Sequence, residues 1–168
     1  MLNIREATGP DAPLIAGLVR ELADYEKLLP EARATAADFL RELEAPNPVI
    51  RVLIAEWEGQ PAAFALYFFN FSTFVGRPGL YLEDLFVKPA LRSHGIGRAL
   101  LRALARIAKE RGCGRMEWAV LDWNEPALRF YKTLGARQLN EWIVHRLTPV
   151  EIDALANEEG GARSGKSG

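Results

Sequence analysis

Residues 62–71 (AAFALYFFNF) are apolar on both faces of a would-be strand, so whatever fold this chain adopts must cover them from two sides. That demand predicts a central strand inside a layered structure. Its neighbours in sequence supply the sheet. Residues 49–57 (VIRVLIAEW) precede it across Glu58-Gly59, a good hairpin turn, and residues 80–88 (LYLEDLFVK) follow it and are closed by Pro89. Residues 2–7 alternate apolar and polar, as a half-buried strand does. The covering layers are also legible. Thr8 and Asp11 stand at capping-box spacing before Leu14, Leu18, Leu22 and Tyr25, and Pro30 ends that helix. A shorter helix is expected over 35–45, stopped by Pro46 and Pro48. The clearest helix spans 95–111, with Ile96, Leu100, Leu104 and Ile107 on one stripe and Arg98, Arg102, Arg106 and Lys109 largely away from it. Gly112 supplies its stop.

A strand at 116–121, a short helix from Asn124 to about Leu134 and a final strand pair complete the reading. The element order predicts an α/β chain of the α+β type: a mixed, mostly antiparallel sheet with helices on both faces, without a repeated βαβ series. Residues 1–157 are expected to form one domain, and the small, polar residues 158–168 a disordered tail.

Composition removes several functions. A formal net charge of −1 gives no general attraction for nucleic acid, yet leaves room for a small cation held by local carboxylates. Cys113 is the only cysteine, so no intrachain disulfide can form. His94 and His145 have no cysteine at ligand spacing, and no metal is expected. No apolar run approaches the ~20 residues that span a bilayer, and Arg5 and Glu6 interrupt any leader-like core. The expectation is a cytoplasmic protein with no membrane or nucleic-acid partner.

Arg92-Ser-His-Gly95-Ile-Gly97 lies between a strand and the N-terminus of the strongest helix. First-turn amides and the helix dipole favour an anion there, and glycines let it approach closely. The same glycines would equally serve a tight turn. A Walker loop would need Lys-Ser/Thr where Arg98-Ala99 stand, and a dinucleotide fingerprint would need glycine where Leu100 stands.

Arg-x-x-Gly-x-Gly opening a helix after LYLEDLFVKP resembles the pyrophosphate loop of the GNAT superfamily of N-acetyltransferases. Residues 120–136 (VLDWNEPALRFYKTLGA) resemble its later segment, where a tyrosine-bearing helix precedes a Gly-Ala turn. Within that superfamily the chain is similar to the spermidine/spermine and thialysine acetyltransferase branch, through LADYEK (22–27), FFNFSTFVG (68–76), YLEDLFV (81–87) and DWNEPALRFYK (122–132). Ser72-Thr73-Phe74 is closer to the thialysine enzymes, since the polyamine enzymes carry an acidic residue and a tryptophan in this segment. Ser93 stands where the family has a glycine.

The resemblance implies acetyl-CoA as co-substrate, direct attack by the primary amine of a small basic metabolite, and a homodimer. It places Arg92, Gly95, Ile96, Gly97 and Arg98 at the pyrophosphate, and Asn124 and Lys132 among the cofactor contacts. Phe86 and Val87 would offer main-chain bonds to the pantetheine arm, which would add to the 80–88 edge like an extra strand. Acetylation of a protein amine, and acyl-CoA sensing without turnover, are the competing readings.

The chemistry sets its own demands. An alkyl amine near pKa 10.4 is mostly protonated at neutral pH, and freeing its lone pair costs roughly 4–5 kcal/mol. Glu83 and Asp84 are adjacent in a strand and so expected on opposite faces, Glu83 with Tyr81, Leu85 and Val87. The resemblance makes Glu83 the relay for the amine proton and puts Asp84 in the same acidic environment; solvation at a sheet edge is the plain alternative. Tyr131 would protonate the departing thiolate, although Leu128, Tyr131 and Leu134 also fit a core stripe. Tyr25 and Glu26 match substrate-side positions, and a boundary aromatic beside a solvated charge explains them as well. Cys113 reads as structural, and His94 as a solvated loop residue.

Overall fold

The computed structural model describes residues 1–158; the residues from 159 on, which hold nearly all of the expected tail, lie outside the described residues. The chain divides into two compact units, Met1–Asn124 and Glu125 onward. In the first unit five strands lie in the order of the sequence: β1 (Leu2–Glu6), β2 (Arg51–Trp57), β3 (Gln60–Ser72), β4 (Arg77–Val87) and β5 (Arg115–Trp118). The first four pair antiparallel and β5 joins β4 in parallel, which gives the mixed, mostly antiparallel sheet that the element order predicts.

β2 and β3 meet at Glu58 and Gly59, both left-handed (φ 50° and 76°), as a tight hairpin with right-handed strand twist requires. β3 is central and buried from Ala62 to Tyr67. One face carries α1 (Ala12–Tyr25) and α2 (Ala36–Leu43), whose Ile15, Leu18, Leu22 and Phe39 close on Val52, Ile54, Phe64, Leu66 and Phe86. Their partners in the alternation, Leu53, Ala55, Ala63 and Ala65, are buried on the opposite face. α3 (Ile96–Glu110) packs against β2, β3, β4 and β5 through Ile96, Leu100, Leu101 and Leu104, while Arg98, Arg102, Arg106 and Lys109 stay exposed. Small alanines at 55, 63 and 65 let α3 approach the sheet.

Sequence and structure part at the chain's end. The second unit holds α4 (Glu125–Thr133) and α5 (Pro149–Ala156), and among the described residues no strand follows β5, where a strand pair was expected. A β-prone run becomes a strand only against a neighbouring backbone. Trp142, Ile143 and Val144 are exposed instead. α5 has a clear local cause: Thr148 and Glu151 form a capping box, with Pro149 in the first turn.

Candidate active site

The site is built on the second half of β4. β5 pairs with residues 79–82 of β4 and no further, so among the described residues no strand lies beside that edge from Glu83 to Val87. On the other side β3 runs the full length, with one irregularity: Leu66 pairs with Asp84 but Tyr67 with Leu82, which leaves Glu83 as an extra residue in a β-bulge.

The bulge changes what the acidic pair faces. Before it, Tyr81 pairs with Phe68, on the face of Leu66 and Phe64; after it, Leu85 and Val87 pair with Ala65 and Ala63, on the face of α3. Glu83 therefore does not share a face with Tyr81, Leu85 and Val87 as simple alternation predicts. It is exposed at the break in the pleat. Asp84 is the half-buried member, turned to the α1 face beside Phe86 and paired to Leu66. Burial, reinforced by the charges of Glu83 and Glu26, pushes its carboxyl up to about 6. Burial also raises Glu26, the residue that follows the last turn of α1. Three carboxylates from two elements thus share one electrostatic neighbourhood, and Asp84 feels it most.

The ladder also says which backbone groups face the open edge. Lys88 N–H donates to the Ala62 carbonyl at 2.9 Å, so Lys88, Phe86 and Asp84 point their backbone groups toward β3. Leu85 and Val87 point theirs away from it. Phe86 was expected to offer its amide here; its backbone belongs to the β3 ladder and its side chain, 3 % exposed, to the core. Leu85 takes that place, and only the register with β3 could have found it.

The loop before α3 is held in a left-handed form at Ser93 (φ 71°) and Gly95 (φ 75°). This explains the glycine that the family has at the first position: an L-residue in this conformation costs about 1 kcal/mol. Gly95 caps α3, and its carbonyl accepts the first helical bond, from Ala99. The first-turn amides of Ile96, Gly97 and Arg98 point out of the helix end, where its dipole favours an anion. His94 is an exposed loop residue, as expected, and braces the loop. Its Nδ1 sits 3.2 Å and 3.0 Å from the Leu91 and Arg92 carbonyls, and its ring meets Trp57 edge-on at 5.1 Å.

Arg92 leaves the loop sideways. Its Nε donates to the Val87 carbonyl at 3.1 Å, and its guanidinium lies 4.3 Å from the Tyr25 ring centre and 5.9 Å from that of Phe86. Tyr25 is half-buried, tilts against Trp123 at 6.4 Å, and its hydroxyl stands 3.5 Å from Asn124 Oδ1. Lys27 covers the Trp123 ring at 4.9 Å. The end of α1, the loop and residues 123–124 are therefore one aromatic and cationic cluster.

In the second unit, Leu128 and Tyr131 of α4 and Leu134 just after it are half-buried, with Lys132 exposed and the rings of Phe130 and Tyr131 5.5 Å apart. Cys113 follows the left-handed Gly112 at the end of α3 and donates its amide to Ala108. No group of three or more His, Cys, Asp or Glu side chains with metal-site geometry occurs among the described residues, and no helix among them is long and apolar enough to cross a membrane.

Comparison with known proteins agrees with this geometry. Residues 17–136 match the model of the acetyltransferase (GNAT) family, over two thirds of the chain. A thialysine N-epsilon-acetyltransferase of Sus scrofa is 40% identical over 146 residues, 82% of this chain and 85% of the relative. A spermidine/spermine N(1)-acetyltransferase-like protein 1 of Homo sapiens is 36% identical over 94% of this chain, which corresponds to 24% of that longer protein. Among solved structures, an integron cassette protein from the mobile metagenome of V. cholerae superposes with a TM-score of 0.78 at 27% identity, covering 94% of this chain and 98% of that one. With its open β4 edge, its left-handed loop before α3 and these matches, the chain belongs to the GNAT family of acetyltransferases and is an acyl-transferring enzyme.

Proposed function

We propose that this enzyme transfers acetyl from acetyl-CoA to the primary amine of a small basic metabolite, a thialysine-like amino acid ahead of a polyamine, by direct attack of the amine on the thioester. The observation that carries the reading is the second half of β4, where an edge without a neighbouring strand begins at an acidic pair.

The residues fit the co-substrate. Leu85 and Val87 would receive the pantetheine arm as an added strand. The first-turn amides of α3, at Ile96, Gly97 and Arg98, would take the pyrophosphate behind Gly95, with Asn124 and Lys132 as further contacts. Bound there, the thioester supplies an activated acyl carbon. Glu83, exposed at the bulge, would accept the amine's proton through water, leaving the nitrogen lone pair free to attack. Asp84 and Glu26 would hold the substrate's cationic groups. Tyr131 would return a proton to the thiolate sulfur as the carbon–sulfur bond breaks. A partly dry site would favour that last transfer, which in water runs uphill by roughly 2 kcal/mol.

The preference for a thialysine-like acceptor rests on the 40% identity to an enzyme of that name and on Ser72-Thr73-Phe74 at the β3–β4 turn. A homodimer in the cytoplasm belongs to the same proposal. The test is acetyl-CoA-dependent thiol release over lysine, thialysine, diamines, polyamines and an N-terminal peptide, for the wild type and Tyr131→Phe. Turnover with one small amine, most of it lost in the phenylalanine variant at alkaline pH, is the expected result. Turnover with the peptide alone overturns the substrate class. Coenzyme A binding without any amine-dependent release overturns the reaction and favours acyl-CoA sensing.

A further inference from the structure

An arginine in an anion-binding loop is ordinarily read as a ligand of the anion. Arg92 has different neighbours. Its Nε donates to the Val87 carbonyl at 3.1 Å, and its guanidinium carbon lies 4.3 Å from the Tyr25 ring centre and 5.9 Å from that of Phe86. One contact lies at the end of α1 and the other at the end of β4. Neither lies at the first turn of α3. Val87 is also the last residue of β4, so the Nε–carbonyl bond sits where the open edge runs out.

We propose that Arg92 is a positioning residue for the amine side of the site: it pins the Tyr25 ring against the end of the open β4 edge, and it does not hold the cofactor's phosphates. The proposal rests on the acyl-transfer reading above and deepens it. Three observations support it together. The Nε–H bonds the Val87 carbonyl and the guanidinium carbon lies over the Tyr25 ring, so the contacts Arg92 makes draw its side chain toward the ends of β4 and α1. Tyr25 reaches on to Trp123 and Asn124, so the position of its ring is coupled to the residues that precede α4. Glu26 follows Tyr25 directly and shares the electrostatic neighbourhood of Asp84, so a shift of the α1 end would move a carboxylate of the acidic group. Arg92 would therefore set the affinity for the amine while sitting in the cofactor's loop.

The account makes the two partners distinguishable. Arg92→Gln should leave the dissociation constant of coenzyme A within roughly threefold of wild type and raise the amine KM about tenfold or more. Tyr25→Leu should do the same, and the double variant should lose little beyond either single change, because the two act as one unit. Tyr25→Phe keeps the ring under Arg92 but loses the hydroxyl at Asn124, and should raise the amine KM less than Tyr25→Leu does. Arg92→Lys keeps a cation over the ring but has no Nε–H fork, and should fall between.

A tenfold or greater loss of coenzyme A affinity in Arg92→Gln, at unchanged amine KM, would make Arg92 a phosphate ligand and overturn the proposal. Losses that multiply in the double variant would do so as well. Coenzyme A titration and the thermal-stability cycle of Arg92→Gln with Tyr25→Leu need no turnover. A wild type that releases thiol with no amine would thus fail the reaction alone, while those two measurements still decide the placement of Arg92: unchanged coenzyme A affinity with non-additive stability losses supports it, and additive losses reject it.

Discussion

The two halves of β4 share one strand and one partner in β3, yet they do different work. Residues 79–82 lie between β3 and β5 and alternate regularly, with Leu80 and Leu82 buried. Among the described residues, 83–87 pair with β3 alone, and one extra residue separates them from the first half. That residue moves Asp84 and Phe86 to the face opposite Leu80 and Leu82, leaves Glu83 exposed at the break, and coincides with the end of the β5 ladder. A single inserted position thus separates the doubly paired half of the strand from the candidate site. Strand pairing holds the first half on both sides, and among the described residues the second half keeps one edge without a strand, where the proposed cofactor arm would add.

The most severe way to break the contrast is to delete Glu83. Removing it restores regular pleating without changing the face of any other β4 residue, because Leu82 and Asp84 already lie on opposite faces. Thermal stability should hold or rise, while kcat/KM should fall by about 10³-fold, a typical contribution of proton transfer. A deletion variant that keeps its activity would show that the bulge is incidental.

Asp84→Asn sharpens the comparison through pH. Burial raises the Asp84 carboxyl to about 6 from an ordinary value of 3.8. Its folded-state pKa is therefore above its unfolded one, so the folded state binds the proton more tightly. Below both values the carboxyl is neutral in both states and costs nothing; the penalty grows as pH rises from 3.8 to 6 and is complete above that. The asparagine variant should gain at most about 2–3 kcal/mol relative to wild type at pH 8 and nothing at pH 3.5. Its amine-dependent turnover should drop at the same time. Denaturant melts at the two pH values check the sign, and an equal gain at both would reject burial of the charge as the cause.

The smallest effect belongs to the loop. Ser93 holds a left-handed φ of 71°, so Ser93→Gly should stabilise the chain by about 0.5–1 kcal/mol and leave coenzyme A affinity unchanged. A destabilised glycine variant would mean that the serine side chain supports the loop.

The same strand marks the limit of what the sequence discloses. Glu58-Gly59, the double-sided apolar run of β3 and the stripe of α3 each act locally, and each predicts its element. The bulge does not, because whether Glu83 is extra depends on β3, and alternation within β4 alone places it with Tyr81, Leu85 and Val87. The exchange of Leu85 for Phe86 at the open edge has the same origin. Arg92 over Tyr25 joins positions far apart in sequence, and no spacing signals it. The capping box at Thr148 and Glu151 is a local signal that starts α5, and it was there to be read in the sequence.

The central claim is that the cofactor arm adds to the second half of β4. Backbone amide hydrogen exchange with and without coenzyme A tests it most directly. Protection gained at the Leu85 and Val87 amides, with residues 79–82 unchanged, is the predicted result. Coenzyme A that binds without slowing exchange at either amide would contradict it.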